Sequence, residues 1–353
     1  MRLSYAKYSV ARGVYKVRTK TAIVLSTVGL LIGSGGGLAL ATLGSASADS
    51  AAINFETSQG YTLGNINGQQ GWSATGSAGA GCAMYDEGVA GSMGISGFGA
   101  QSFRISNAVT SGCFGDQAFA PALSQPAGEP NALDKNGNPV ASPQPHFEAQ
   151  FSIASTTGAQ QPGMAMSVSP DGGSGARMSY LRFEDHSDGM HVFFDDVTDP
   201  THAVNADTFN ETDVATLSYT APHTVKFVMD FASGPDNDVV KVYIDGNLVK
   251  TGTSWEDYYL FDTESNPIPQ NNNSRVVSTL LFREGGTAVP ANAGNGYLID
   301  NTSLISGATP VNLPTSKDQC MGSGWKSYGT TFKNQGDCVS FVATGGKNQP
   351  NGH

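Results

Sequence analysis

Residues 239–249 read Val-Val-Lys-Val-Tyr-Ile-Asp-Gly-Asn-Leu-Val, and they carry the clearest structural signal in the chain. Two apolar-rich runs, 239–244 and 247–251, flank the pair Asp245-Gly246. A type I′ turn requires a positive φ at both central residues, and Asp-Gly is one of the pairs that adopts it. The stretch therefore predicts an antiparallel β-hairpin.

Short runs of the same kind, separated by glycine, asparagine, aspartate and proline, recur between residues 51 and 305. Helix is disfavoured, because the 353 residues include 44 glycines and 17 prolines. Many short strands at this spacing predict an all-β fold, a two-sheet antiparallel sandwich or jelly roll. The predicted strands are 52–56, 101–106, 146–152, 164–169, 178–183, 190–195, 224–230, 239–244, 247–251, 278–282 and 297–301, with a second hairpin turn at His186-Ser187-Asp188-Gly189.

Two stretches do not read as strands. Residues 120–145 contain six prolines and little apolar content, and residues 260–273 combine Pro267, Pro269 and three consecutive asparagines, so both are predicted to be loops or insertions. The strand pattern ends after residue 307. The predicted organisation is a signal peptide at 1–48, a β-sandwich domain at 49–308, a linker at 309–315, a small two-cysteine module at 316–346 and a tail at 347–353.

The first 48 residues have the pattern of an export signal. Six basic and no acidic residues precede an apolar run at 21–43, and Ala46-Ser47-Ala48 has the form of a cleavage site. The alternative is an uncleaved membrane anchor, since the apolar run is nearly long enough to span a bilayer. The Ser-Gly-Gly-Gly sequence at 34–37 and the small-residue ending favour cleavage. The mature chain is therefore expected to be secreted or at the cell surface, with no membrane segment.

The charge of the mature chain excludes some partners. Removal of the six basic residues takes the formal net charge from −11 to −17. So acidic a protein is a poor partner for nucleic acid or anionic lipid, because both require basic surfaces. It is compatible with a secreted protein that binds divalent cations.

The four cysteines form two pairs that are local in sequence, Cys82 with Cys113 and Cys320 with Cys338. Three connectivities are possible, and local pairing is the simplest. Metal binding is the alternative, and it is disfavoured because no Cys-x-x-Cys spacing or nearby histidine accompanies the cysteines. A disulfide between Cys320 and Cys338 would stabilise a segment too short to build its own core.

Three stretches carry a resemblance to a known fold family. Residues 239–249 resemble the VYVDGxLV hairpin of concanavalin A-like lectin/glucanase and laminin-G-like sandwiches, residues 296–301 are similar to the closing strand of that group, and 53–56 to its opening strand. The resemblance covers about residues 49–306 and implies architecture rather than activity. The C-terminal segment with Cys320, Trp325 and Cys338 resembles a small two-cysteine motif of secreted Gram-positive-type bacterial proteins.

Some relatives of this sandwich are glycoside hydrolases, which need two carboxylates flanking the scissile bond. In the laminarinase-like branch these lie on one strand as Glu-x-Asp-x-x-Glu, because side chains two residues apart point the same way. The chain contains no such string. It also contains no HExxH zinc motif, Gly-x-Ser-x-Gly elbow, phosphate loop or dinucleotide fingerprint. Carboxylates from separate strands could still converge.

Strand alternation gives the first candidate binding site. In residues 178–184, Ser179, Leu181 and Phe183 are expected to face the core, which places Tyr180, Arg182 and Glu184 on the other face. An aromatic ring beside a charged pair offers a sugar both a stacking surface and directional hydrogen bonds. The alternative is that Arg182 and Glu184 are ordinary solvent-facing residues of an antiparallel sheet. The partner strand 190–195 would bring His191 and Asp195 nearby.

A second candidate is the aromatic group of Trp255, Tyr258 and Tyr259 in a predicted loop, which could stack on sugar rings or pack over the sheet edge. For metals, Asp195, Asp196 and Asp199 supply the oxygen ligands that Ca²⁺ prefers, as does the turn Asp236-Asn237-Asp238. Neither group matches an EF-hand loop. Structural Ca²⁺ is common in the family that the chain resembles.

Three hypotheses of function remain open at this stage. The first is a secreted, non-catalytic β-sandwich that binds carbohydrate, such as a polysaccharide or cell-wall glycan, or another extracellular ligand. The second is a structural or adhesive surface protein that binds no sugar. The third is a glycoside hydrolase or lyase with carboxylates drawn from separate strands. The absence of the paired-carboxylate motif favours the first over the third.

Overall fold

The computed structural model describes most of the chain after residue 48. The described residues are 49–75, 87–108, 116–198, 201–203, 206, 208–261, 275–308, 314, 316–322, 324–328 and 332–344. The predicted signal peptide, the pair Cys82 and Cys113, and Asp199 lie outside these residues.

The described residues form eighteen strands and two α-helices. The strands are β1 Asp49–Ile53, β2 Gly64–Asn65, β3 Ser73–Thr75, β4 Gly88–Gly91, β5 Gln101–Ile105, β6 Gln117–Phe119, β7 Ala127–Gly128, β8 His146–Ser155, β9 Ala165–Asp171, β10 Leu181–His186, β11 Gly189–Thr198, β12 Thr208–Leu217, β13 His223–Asp230, β14 Val239–Ile244, β15 Asn247–Gly252, β16 Val276–Val277, β17 Thr279–Glu284 and β18 Tyr297–Gly307. The helices are α1 Glu256–Phe261 and α2 Gln335–Ala343, and short 3₁₀ turns occur at Thr57–Gln59, Pro290–Asn292, Lys317–Cys320 and Gly324–Tyr328.

The strands build two large antiparallel sheets. The nine-stranded sheet has the order β15-β14-β13-β8-β18-β5-β4-β2, with β1 also paired to β18. The seven-stranded sheet has the order β12-β11-β10-β9-β17-β6-β3, and β16 and β7 form a small separate pair. The predicted all-β, two-sheet antiparallel sandwich is confirmed, and its two sheets are consistent with a concanavalin A-like jelly roll.

The predicted hairpins are also present. Strands β14 and β15 pair around Asp245 and Gly246, whose φ angles are 50° and 79°, so both central residues are in the left-handed region that a type I′ turn requires. Strands β10 and β11 pair from Leu181 with Phe194 to His186 with Gly189. Local turn chemistry therefore sets the register at both places.

The structure contains elements that the sequence pattern did not predict, namely strands β2, β3, β4, β6, β7, β12 and β16 and helix α1. Strand β12 was not predicted, because its residues are mostly polar and most of its side chains are exposed. It is the edge strand of the seven-stranded sheet, where charged side chains are tolerated and discourage further pairing. The predicted surface loop 120–145 contains β7 and buries Leu123, Ala127 and Leu133, so part of it contributes apolar packing.

Aromatic rings from both sheets form the centre of the core. Phe282 on β17 lies 5.7 Å from Phe103 on β5 and 5.8 Å from Phe151 on β8, measured between ring centroids. Trp72 lies 6.0 Å from Phe282 and 5.2 Å from Phe103. All four side chains are fully buried or nearly so. The inner face of each strand is therefore fixed by contact with the opposite sheet.

The C-terminal segment has a small cluster of its own. Cys320 and Cys338 form a disulfide, as predicted, and both are buried beside Phe332. Asn334 caps α2, since its side chain accepts a hydrogen bond from the Asp337 amide. The independent folding of residues 316–346 as a small module stays a prediction. Among the described residues, no helix has the length and apolar character needed to cross a membrane.

The aromatic core generates a stability prediction. Phe282→Ala removes the ring that contacts Trp72, Phe103 and Phe151, and we expect the free energy of unfolding to fall by about 3–5 kcal/mol because the cavity spans both sheets. Leu248→Ala is the control, since Leu248 is 53% exposed and its loss should change stability by about 0.5 kcal/mol or less. Urea unfolding followed by tryptophan fluorescence measures both. Equal decreases in the free energy of unfolding of the two variants would contradict the central position of Phe282 in the core.

Candidate functional site

The outer face of the seven-stranded sheet brings the first set of predicted residues together. Leu181 and Phe183 are fully buried, which leaves Arg182 and Glu184 on the outer side of β10. Across the β10–β11 pair, Arg182 lies opposite Phe193, and Glu184 lies opposite His191. We call the outer side of β10, β11 and β12 the outer face.

Arg182 is held at the centre of the outer face by ion pairs. Its guanidinium contacts the Glu184 carboxylate and lies 2.8 Å from the Glu211 carboxylate on β12. The same group lies 4.3 Å above the centroid of the Phe193 ring. A guanidinium fixed on an aromatic ring by two carboxylates has little freedom left to lose when a ligand binds.

His191 is oriented by two aspartates. Its Nδ1 lies 2.6 Å from Asp213 and its Nε2 lies 3.1 Å from Asp188. The hydrogen bond to Asp213 is the main cause that raises the pKa of His191 above its ordinary value. The His186 ring lies 4.3 Å from the His191 ring, and its side chain is exposed. This end of the outer face is therefore rich in fixed, directional polar groups.

An aromatic cluster joins the two predicted candidate sites. The Tyr180 ring stacks on Trp255, with 5.6 Å between centroids and 20° between planes. Phe209 on β12 meets Trp255 and Tyr258 edge to face, at 5.0 Å and 5.2 Å. The Trp255 indole donates a hydrogen bond to the Asp195 carbonyl at 2.9 Å. The loop aromatics thus pack directly beside the strand residues.

This packing limits what the predicted aromatics can do. Trp255 is only 9% exposed, and one of its faces is covered by Tyr180. Tyr180 and Trp255 are therefore mainly a packed stack rather than an open platform for a sugar ring. Phe209 is 46% exposed and offers the accessible aromatic edge of the cluster.

The outer side of β10, β11 and β12 is more open than that of the strands next to β10. On the neighbouring strands, Ser167, Ser169 and Leu281 occupy outward positions by alternation, yet all three are buried. Glu211 and Asp213 on β12 remain 46% and 43% exposed. The outer face can therefore receive a ligand from the edge-strand side.

The predicted Ca²⁺ ligands Asp195 and Asp196 do not converge. Asp196 lies 2.7 Å from the Lys250 ammonium, and its Oδ1 accepts a hydrogen bond from the Thr253 amide at 2.9 Å. Asp195 lies on the opposite side of β11 near Glu211, because adjacent strand residues point to opposite faces. One ion cannot take both carboxylates in this arrangement, and Asp199 lies outside the described residues.

Two other groups of side chains have metal-ligand spacing. His202, Asp236 and Asp257 form one, and Glu129, Asp238 and Glu256 form the other; in each group, one ligand atom per residue lies within 4.8 Å of the others. The turn Asp236-Asn237-Asp238, predicted to offer one set of ligands, is thus divided between two groups.

A groove of about 480 Å³ lies on the outer side of the nine-stranded sheet. His146 is buried in it, with Nδ1 2.7 Å from Asp230 and Nε2 3.3 Å from Glu148. Lys226 pairs with Glu148 at 2.6 Å, and Lys241 lies 3.8 Å from Asp230. No sequence motif indicates these residues, since their convergence depends on the pairing of β8, β13 and β14.

Several residues of the outer face are not among the candidates that the sequence pattern predicts. Phe193 was inside a predicted strand but was not selected, although alternation from His191 places it on the same side. Phe209, Glu211 and Asp213 were missed because β12 was not predicted. Only the pairing of β11 with β12 brings them next to Arg182 and His191.

Comparison of the sequence with protein-family models gives no match, and neither does comparison with curated proteins. Among solved structures, the chain is similar to an endo-β-1,4-glucuronan lyase from the fungus Trichoderma reesei (13% identity, 71% of this chain and 95% of that chain, TM-score 0.33). It is also similar to the carbohydrate-binding module CBM66 from Bacillus subtilis (10% identity, 68% of this chain and 98% of that chain, TM-score 0.32). A third similar structure is an endo-1,3-β-glucanase from Streptomyces sioyaensis (11% identity, 75% of this chain and 98% of that chain, TM-score 0.36). Similarity at this level does not identify an activity or a ligand for the chain.

Asp195 generates a pH prediction. Burial, and after it the charge of Glu211, raises the pKa of Asp195 from its ordinary 3.8 to about 6. Between these values the folded protein holds a proton that the unfolded chain releases, so this carboxyl's contribution to stability falls as pH rises from about 4 to about 6.

Asp195→Asn removes this titration and keeps the shape of the side chain. We expect the variant to gain thermal stability over the wild type at pH 7 and to gain less, or nothing, at pH 4, where the wild-type carboxyl is protonated. Calorimetric melting temperatures at the two pH values measure the difference. An equal change in melting temperature at pH 4 and pH 7 would contradict the raised pKa of Asp195.

Proposed function

We propose that this chain is a secreted, non-catalytic β-sandwich that binds carbohydrate on the outer face of β10, β11 and β12. The observation that carries the proposal is the arrangement of Arg182, which lies over the Phe193 ring while Glu184 and Glu211 fix its guanidinium. An apolar ring surface and oriented charged groups therefore occupy one exposed patch.

A sugar ring has an apolar face and a rim of hydroxyl groups, and the outer face has a counterpart for each. The exposed edge of Phe209 supplies apolar contact. Glu184, Glu211 and His191 supply donors and acceptors that are already oriented by neighbouring side chains. Preorganisation of this kind reduces the entropy lost on binding.

The charge of the patch selects the class of sugar. Among the described residues of this patch, five carboxylates, those of Glu184, Asp188, Asp195, Glu211 and Asp213, surround the Arg182 guanidinium. An anionic ligand such as a uronate or sulfated polysaccharide would meet net repulsion. The proposed ligand is therefore a neutral or amino-sugar polysaccharide, which includes cell-wall glycans.

Secretion is proposed from two observations. The export-signal pattern of residues 1–48 directs the chain out of the cytoplasm. The Cys320–Cys338 disulfide is favoured in an oxidising, extracytoplasmic compartment. Both fit a protein that meets polysaccharides outside the cell.

The test is a glycan-array screen followed by titration of the strongest neutral or amino-sugar ligand. Phe209→Ala removes the exposed aromatic edge, and we expect the Kd to rise about three- to tenfold, the equivalent of roughly 1 kcal/mol. The melting temperature should change little, because almost half of Phe209 is already exposed. Lys226→Ala, in the groove of the other sheet, is the matched control and should bind with unchanged Kd.

The outcomes of this experiment separate the hypotheses. Loss of affinity in Lys226→Ala with full affinity in Phe209→Ala would move the site to the groove. Binding restricted to uronates or sulfated glycans would contradict the charge argument. Absence of binding across a broad array would overturn the proposal in favour of a structural or adhesive surface protein.

A second candidate function is cleavage of a polysaccharide, by a hydrolase or a lyase reaction, in the groove of the nine-stranded sheet. Glu148 on β8 and Asp230 on β13 are carboxylates from separate strands, and both contact the buried His146. Two carboxylates and a histidine are groups that general acid–base chemistry uses. A panel of polysaccharides assayed for reducing-end release, with Glu148→Gln as the inactive control, tests this candidate; no release across the panel would exclude it for those substrates.

A further inference from the structure

We infer that Glu129, Asp238 and Glu256 form a binding site for a divalent cation, with Ca²⁺ as the ion. One carboxylate oxygen of each residue lies within 4.8 Å of the others. Two oxygens bound to one Ca²⁺ at 2.3–2.6 Å can be at most about 5 Å apart, so this spacing fits a shared ion. The inference does not depend on the proposed carbohydrate site.

Buried oxygens without partners point to a ligand at this cluster. Glu256 is 5% exposed, yet its Oε2 is buried and makes no hydrogen bond with the described part of the chain. Glu129 Oε1 is buried and lacks a hydrogen bond in the same way. A buried carboxylate oxygen without a hydrogen-bond partner is unfavourable, and coordination to a bound cation would compensate for its loss of hydration.

The other oxygens of the cluster are anchored to the protein. Glu129 Oε2 accepts a hydrogen bond from the Gly234 amide at 3.0 Å. Asp238 Oδ1 accepts one from the Ala232 amide at 3.0 Å, and its Oδ2 accepts one from the Ser254 hydroxyl at 2.7 Å. These bonds hold the carboxylates in place, as outer partners of metal ligands commonly do.

The charge of the cluster matches a divalent ion. Arg275 is close enough to interact electrostatically with Glu256 and Glu129. Three carboxylates and one guanidinium leave two formal negative charges, which a divalent cation neutralises.

The ion would tie together three segments that are distant in sequence. Glu129 follows β7, Asp238 precedes β14, and Glu256 begins α1. Trp255, which packs on Tyr180 of the outer face, is adjacent to Glu256. Cation binding would therefore stabilise the junction between α1 and the sandwich.

The test compares melting temperatures of the whole purified protein, stripped with EDTA and then dialysed, in 5 mM CaCl₂ and in NaCl of equal ionic strength. For a Kd on the order of 0.1–1 mM, as in many extracellular modules, we expect CaCl₂ to raise the melting temperature by about 2–5 °C. Glu256→Gln keeps the size of the side chain and removes one anionic ligand. Its calorimetric Kd should rise at least about tenfold, which reduces the Ca²⁺-dependent shift to about half of the wild-type shift or less.

Asp236→Asn is the matched control, because Asp236 belongs to the separate group with His202 and Asp257. This variant should retain the full Ca²⁺ shift. Far-UV circular dichroism checks that Glu256→Gln is folded, and Glu129→Gln gives an independent second removal of a ligand. The inference would be overturned if CaCl₂ did not raise the melting temperature, or raised it no more than NaCl does. It would also be overturned if the Ca²⁺-dependent shift were lost in Asp236→Asn but kept in Glu256→Gln.

Discussion

The packing of aromatic rings between the two sheets is the constraint on which the other features depend. Phe282 contacts Trp72 beside its own sheet and Phe103 and Phe151 on the opposite one. Because strand side chains alternate, burying this inner set forces the intervening residues outward. The composition of each outer surface is therefore a consequence of the core. Arg182 is presented to solvent because Leu181 and Phe183 are not.

Three consecutive residues at the start of α1 connect regions that are far apart in sequence. Ser254 donates to Asp238, Trp255 stacks on Tyr180, and Glu256 joins the acidic cluster. A short helix of six residues has little intrinsic stability, so these tertiary contacts must hold it in place. The aromatic edge of the outer face and the acidic cluster consequently share one structural support.

Electrostatic pairing organises the strongly acidic surface. Four histidines have an aspartate partner at 2.5–2.7 Å: His146 with Asp230, His191 with Asp213, His202 with Asp236 and His223 with Asp245. Histidine in this chain often takes the place of the scarce lysine and arginine as a hydrogen-bond partner of aspartate. The Glu129, Asp238 and Glu256 cluster differs from these pairs, because three carboxylates meet there and buried oxygens are left without hydrogen bonds.

The sequence by itself determined the all-β class, the Asp245-Gly246 hairpin and the outward positions of Arg182 and Glu184, because turn chemistry and strand alternation act over a few residues. It could not determine which strands become neighbours. The polar strand β12, with Phe209 and Glu211, has no apolar pattern of its own and forms by pairing with β11. The same holds for the acidic cluster and for the groove around His146. These sites are assembled from residues tens of positions apart, and only the tertiary structure, through burial of the common core, decided that they meet.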